Sequence, residues 1–93
     1  MRFEVHVEVR GLEGIADPEG QTIERALPAL GFVGVDGVQV GKVVRFSLEA
    51  TDERAAREVA EQMCARLLAN PVIERAEVTV APAGAAAGAV GGR

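Results

Sequence analysis

Ninety-three residues, 48% hydrophobic and 26% charged, describe one small domain of ordinary globular composition. Ten basic side chains are scattered among fourteen acidic ones for a net charge of −4, and the three aromatics are all Phe, so the chain has neither the basic footprint nor the stacking platform that nucleic acid requires. The single Cys rules out an internal disulfide and multi-cysteine metal sites, and no apolar run is long enough to span a bilayer.

Residues 2–10 alternate strictly. Phe3, Val5, Val7 and Val9 point one way, and Arg2, Glu4, His6, Glu8 and Arg10 the other, which predicts a strand with one buried face. No signal-peptide core alternates in this manner, so the expected address is the cytoplasm. GLEGIADPEG follows as a connecting loop rich in turn residues. Asp17 before Pro18 is a helix start, because Asp accepts from free N–H groups and Pro tolerates the first helical position; Thr22 is a second candidate cap. Ile23, Ala26, Leu27 and Leu30 then form one apolar stripe, with Gly31 as the stop. Pro28 sits opposite the stripe, where a kink in the last turn faces solvent.

Residues 33–40 and 43–50 are expected as two strands, with Val38 and Val40 in the first and Val44, Phe46 and Leu48 in the second. Gly41-Lys42 between them is short enough for a tight hairpin. Thr51-Asp52-Glu53 opens a second helix whose buried face is Ala56, Val59, Ala60, Met63 and Leu67, and Asn70-Pro71 closes it, with Asn in a left-handed terminal position. Val72 to Val80 is the last strand. The order β-α-β-β-α-β predicts an α+β, ferredoxin-like sandwich: an antiparallel sheet with two helices on one face. Residues 1–80 form this domain, and 81–93 (APAGAAAGAVGGR) are expected as a flexible Ala/Gly tail. A chain this short buries only about 60–65% of its unfolded surface, which favours an oligomer or a docked subunit.

The face opposite the helices carries Arg2, Glu4, His6, Glu8 and Arg10, joined by Arg45, Ser47 and Glu49 and by Arg75, Glu77 and Thr79. It is either a solvated face or a polar contact face for another protein. His6 has no nucleophile or pocket beside it in this pattern, and Cys64 has no His placed to make it a thiolate. The GLEG turn is too short for a phosphate-binding loop. A nucleophile-plus-base set cannot be assembled, and no metal or cofactor is expected on this chain.

Four strings stand in order at compatible spacing: DPEGQTIERAL (Asp17 to Leu27), VQVGK (Val38 to Lys42), SLEA (Ser47 to Ala50) and LLANPVIERAEV (Leu67 to Val78). Together they closely resemble the PurS family, the small subunit of bacterial and archaeal phosphoribosylformylglycinamidine synthase, over about residues 2–80. The resemblance implies a three-protein enzyme. A glutaminase (PurQ-type) releases ammonia, a synthetase (PurL-type) uses ATP and magnesium to activate the substrate amide, and the small subunit bridges the two and assists ammonia transfer. It further implies a homodimer or dimer of dimers. Asp17, Pro18 and Gly20 match the family's loop-to-helix motif, and Asn70, Pro71, Val72 and Ile73 its entry to the last strand. Gly41 and Lys42 match its hairpin; a turn does not itself require Lys, so Lys42 with Gly41, and Arg45 on the polar face, are the candidate partner contacts. Gln39 stands where relatives often have Arg, and Pro28 where they have a helix former. The competing reading is a regulatory amino-acid-binding module, which shares the element order and uses a Gly-containing loop after the first strand. A small acyl-phosphate hydrolase is disfavoured, because its anion-binding turn follows the first strand whereas VQVGKVVRF lies mid-chain.

Overall fold

The computed structural model describes residues 1–84. Strand β1 (Arg2–Gly11) is followed by helix α1 (Pro18–Ala26), strand β2 (Lys42–Glu49), helix α2 (Glu53–Met63) and strand β3 (Glu74–Pro82). The strands form one antiparallel sheet in the order β2-β1-β3, so the most apolar strand takes the centre. Its alternation is realised as read: Phe3, Val5, Val7 and Val9 are buried. Across them on the same face lie Leu48, Phe46 and Val44 of β2 and Val80, Val78 and Ala76 of β3.

Helix α2 covers part of this inner face. Asp52 caps it, accepting from the Ala55 N–H at 2.8 Å. Ala56 and Ala60, both fully buried, let the helix sit close over β1 and β3, and Cys64 continues the stripe as a small buried hydrophobe. The Arg57 guanidinium donates to the Val78 carbonyl at 2.9 Å, tying the helix flank to β3. The last turn departs from the expected periodicity. The Ala69 N–H donates to the Cys64 carbonyl five residues back, a π turn over Cys64–Leu68. The extra residue rotates the register, so Leu68 packs against the core while Leu67 is 81% exposed. Val59 is likewise exposed rather than buried. Asn70 does not use a left-handed conformation; its side chain accepts from the Val72 N–H, and Glu74 accepts from the Asn70 N–H, so the turn is held by side chains.

The strand expected over residues 33–40 is the main correction. The segment has no strand partner. Its Val38 and Val40 N–H groups are instead taken by carboxylates of α1 and its cap, at 3.0 Å to Glu24 Oε1 and 2.8 Å to Asp17 Oδ2. The hairpin at Gly41-Lys42 is absent for a related reason. Gly41 runs straight into β2 and lies against the Val9 carbonyl, where an added Cβ would stand 2.6 Å from that oxygen. Gly41 is needed for close approach, with no positive φ.

Pro28 ends α1 at Ala26 rather than kinking it, and a single tight turn, Pro28–Leu30, leads to Gly31 at φ 96°. Thr22 is not a cap; its hydroxyl donates to the Pro18 carbonyl inside the helix. Helix α1 packs mainly on the turn that follows it, in an arm that leaves the sheet after Gly11 and returns at Gly41. β3 extends to Pro82, which pairs with Phe3; beyond Gly84 the expected tail lies outside the described residues. With its antiparallel sheet and two helices the chain has the ferredoxin-like α+β architecture, built from three of the four strands that the sequence suggested.

Candidate partner-contact surface

Directly opposed residues share a sheet face, so the register sorts every polar side chain. The outer face presents three rows: Glu4 between Ser47 and Ala81, His6 between Arg45 and Thr79, and Glu8 between Val43 and Glu77. Its charges interleave. Ser47 donates to Glu4 at 3.4 Å. Glu8 and Glu77 are opposed like charges, and Arg10 reaches both, at 3.7 Å and 4.0 Å. At the other end Glu49 pairs with the N-terminal ammonium at 2.8 Å and Arg2 at 3.8 Å; the hydrogen bond and charge of the ammonium hold its carboxyl below the usual value. Solvent screens such exposed pairs, so this lattice orders side chains more than it stabilises the fold.

The three predicted contact residues do not come together. Arg45 stands in the middle of the outer face opposite His6. Lys42 is opposite the buried Val9, which places it on the inner face, at the end of the sheet beside the root of the arm. Gly41 marks that root. Two features escaped the sequence reading. Val43 breaks the polar outer face as a half-exposed apolar residue, and its even spacing from Arg45 was the available signal. The carboxylates of Asp17 and Glu24 organise the arm across 23 and 14 residues, and no local pattern announces such pairs.

The chemistry of the described residues is sparse. His6 is half-buried in the sheet surface with only Arg45 and Thr79 opposite it. Burial pushes the Cys64 thiol above its ordinary value, with the charge of Glu61 adding to the effect, which is the reverse of what a nucleophile needs. No group of three His, Cys, Asp or Glu residues able to hold a metal occurs among the described residues. A shallow groove of about 370 Å³ runs between the end of α2 and β3, floored by Cys64, Ala65, Ala76 and Val78 with Glu61 and Arg75 at its margin. It brings no base to a nucleophile. Among the described residues no helix is long and apolar enough to cross a membrane.

Comparison with known proteins points to one family. The model of the PurS family, described as phosphoribosylformylglycinamidine (FGAM) synthase, matches residues 4–82. The PurS subunit of Methanocaldococcus jannaschii is 41% identical over 84% of this chain and 94% of its own length; that of Archaeoglobus fulgidus is 49% identical over 81% and 91%. Among solved structures, the PurS subunit of Thermotoga maritima superposes with a TM-score of 0.81 at 32% identity, covering 87% of this chain and 93% of that one. A chain of the Thermotoga maritima PurLQS structure gives 0.80 at 32% identity, over 87% and 99%. The amino-acid-binding module is therefore not favoured, since one family accounts for all three strands and both helices. The chain belongs to the PurS family.

Proposed function

We propose that this chain is the small, non-catalytic subunit of phosphoribosylformylglycinamidine synthase, an ATP-dependent carbon–nitrogen ligase complex of purine biosynthesis. It bridges the glutaminase and synthetase subunits, assists ammonia transfer between them, and works in the cytoplasm. ATP and magnesium act on the synthetase partner. The observation that carries the reading is the family match over residues 4–82 on a body whose described residues hold no convergent reactive set. The T. maritima PurLQS structure supports an assembly of three kinds of chain.

Because Lys42 and Arg45 lie on opposite faces, they serve two different contacts if both serve any. Co-purification of the chain with the synthetase and glutaminase, with glutamine and nucleotide present, tests the assembly. Lys42→Glu and Arg45→Glu are expected to lower the yield of different partners; unchanged yield of both removes these residues from the interface.

A further inference from the structure

Strand β3 is an edge of the sheet, nine residues long, with Val78, Thr79 and Val80 among the side chains that favour pairing. An edge of this length is a template for another chain, because its outward N–H and C=O groups lack a strand to bind. The register fixes which groups those are. The Ala83 N–H donates to the Arg2 carbonyl at 3.0 Å and the Leu12 N–H to the Ile73 carbonyl at 2.9 Å, so the odd-numbered residues of β3 turn their main-chain groups toward β1. Glu74, Ala76, Val78, Val80 and Pro82 turn theirs to the open side, where no strand lies among the described residues.

Every second outward position is blocked, each by different means. The Glu74 N–H is bound to the Asn70 carbonyl at 2.7 Å, within the turn that leads into β3. Pro82 has no N–H to give. Midway between them, the Val78 carbonyl accepts from the Arg57 guanidinium at 2.9 Å, a bond strengthened by the donor's charge. Added strands bind through consecutive outward residues, and between the blocks Ala76 and Val80 each stand alone.

The two end blocks belong to the path of the chain itself, whereas the middle one depends on a single side chain from α2. Glu53 and Glu61 stand four residues to either side of Arg57, the spacing of a helical ion pair. Among the described residues Arg57 nonetheless forms no ion pair and reaches the sheet edge instead.

We infer that Arg57 closes the β3 edge to strand addition, so that copies of this chain do not join sheets edge to edge at β3. Without the guanidinium, Ala76, Val78 and Val80 become an unbroken outward run on which the β3 of a second copy can pair. That contact is isologous, so it at least doubles the mass of whatever assembly the wild type forms.

Sedimentation velocity on the full chain over a range of concentrations tests this. Arg57→Met keeps an apolar stem on the helix flank and removes the donor. It is expected to retain the circular dichroism of the wild type while its mass rises with concentration to about double or more. Adding Ala76→Pro, which removes an outward N–H without touching the bonds to β1, is expected to restore the wild-type mass. Val7→Ala, which weakens the core far from this edge, is expected to keep the wild-type mass throughout. Hydrogen exchange at Ala76 and Val80 is expected to slow by about tenfold or more in the associated Arg57→Met chain, with Glu77 and Thr79 unchanged. An Arg57→Met chain that stays at the wild-type mass or loses its sheet would overturn the inference. So would association that survives Ala76→Pro, or that Val7→Ala produces equally.

Discussion

Valine to alanine at position 7 and at position 43 is the same chemical change on opposite faces of adjacent strands. Val7 is fully buried at the centre of the sheet, between Val44 and Val78. Val43 stands on the outer face, 50% exposed, beside Glu8. Removing two carbons at Val7 costs about 1.6 kcal/mol at about 0.8 kcal/mol per buried methylene. A residual cavity of about 50 Å³ adds about 1.2 kcal/mol at about 24 cal/mol per Å³. The expected loss is about 2–3 kcal/mol for Val7→Ala and under about 0.5 kcal/mol beyond strand propensity for Val43→Ala. Both variants lose the same β-branched preference, so their difference isolates burial. Thermal unfolding at one fixed protein concentration should separate them by on the order of 10–20 °C, given about 4–8 °C per kcal/mol in a domain this small. Equal losses at the two positions would refute the assignment of inner and outer faces on which the contact surface rests.

Asp17→Asn replaces one of two accepting oxygens by a donating NH2, and with the remaining oxygen kept on the Gly20 cap the Val40 amide loses its acceptor; faster hydrogen exchange at Val40, with β1 unchanged, is the readout. The bonds from Gly20 and Val40 hold the Asp17 carboxyl below its ordinary value, so its contribution is present above the unfolded value and is lost as the pH falls through the lower folded one; exchange at Val40 should rise only there. Gly41→Ala must push the arm's root off the Val9 carbonyl and is expected to destabilise by about 1–3 kcal/mol in urea unfolding. Cys64 should react slowly with a maleimide in the native chain and rapidly in denaturant, since burial both shields the thiol and raises its pKa; fast native labelling would contradict its place in the core.

The parts of the fold legible in the sequence were those written locally. The alternation from Phe3 to Val9, the cap at Asp17, and the inward set Ala76, Val78 and Val80 follow from periods and spacings of a few residues; the cap of α2 is Asp52, one residue beyond the Thr51 that the sequence suggested. The arm was not legible, because what satisfies Val38 and Val40 comes from carboxylates far away in sequence. Leu67 was misplaced because a π turn shifts phase without any marker residue. Lys42 could have been placed correctly: it shares parity with Val44, Phe46 and Leu48, and treating it as a turn residue hid that. The family strings, by contrast, were readable without the structure, since they mark helix start, sheet entry and helix stop in order.

The most direct measurement follows formation of the amidine product in a mixture of purified synthetase and glutaminase, with glutamine, ATP and magnesium, as this chain is titrated in. Glutamine-dependent turnover is expected to rise with added chain and to saturate, while the chain alone turns over nothing. Full glutamine-dependent activity without the chain, or turnover by the chain on its own, would contradict it.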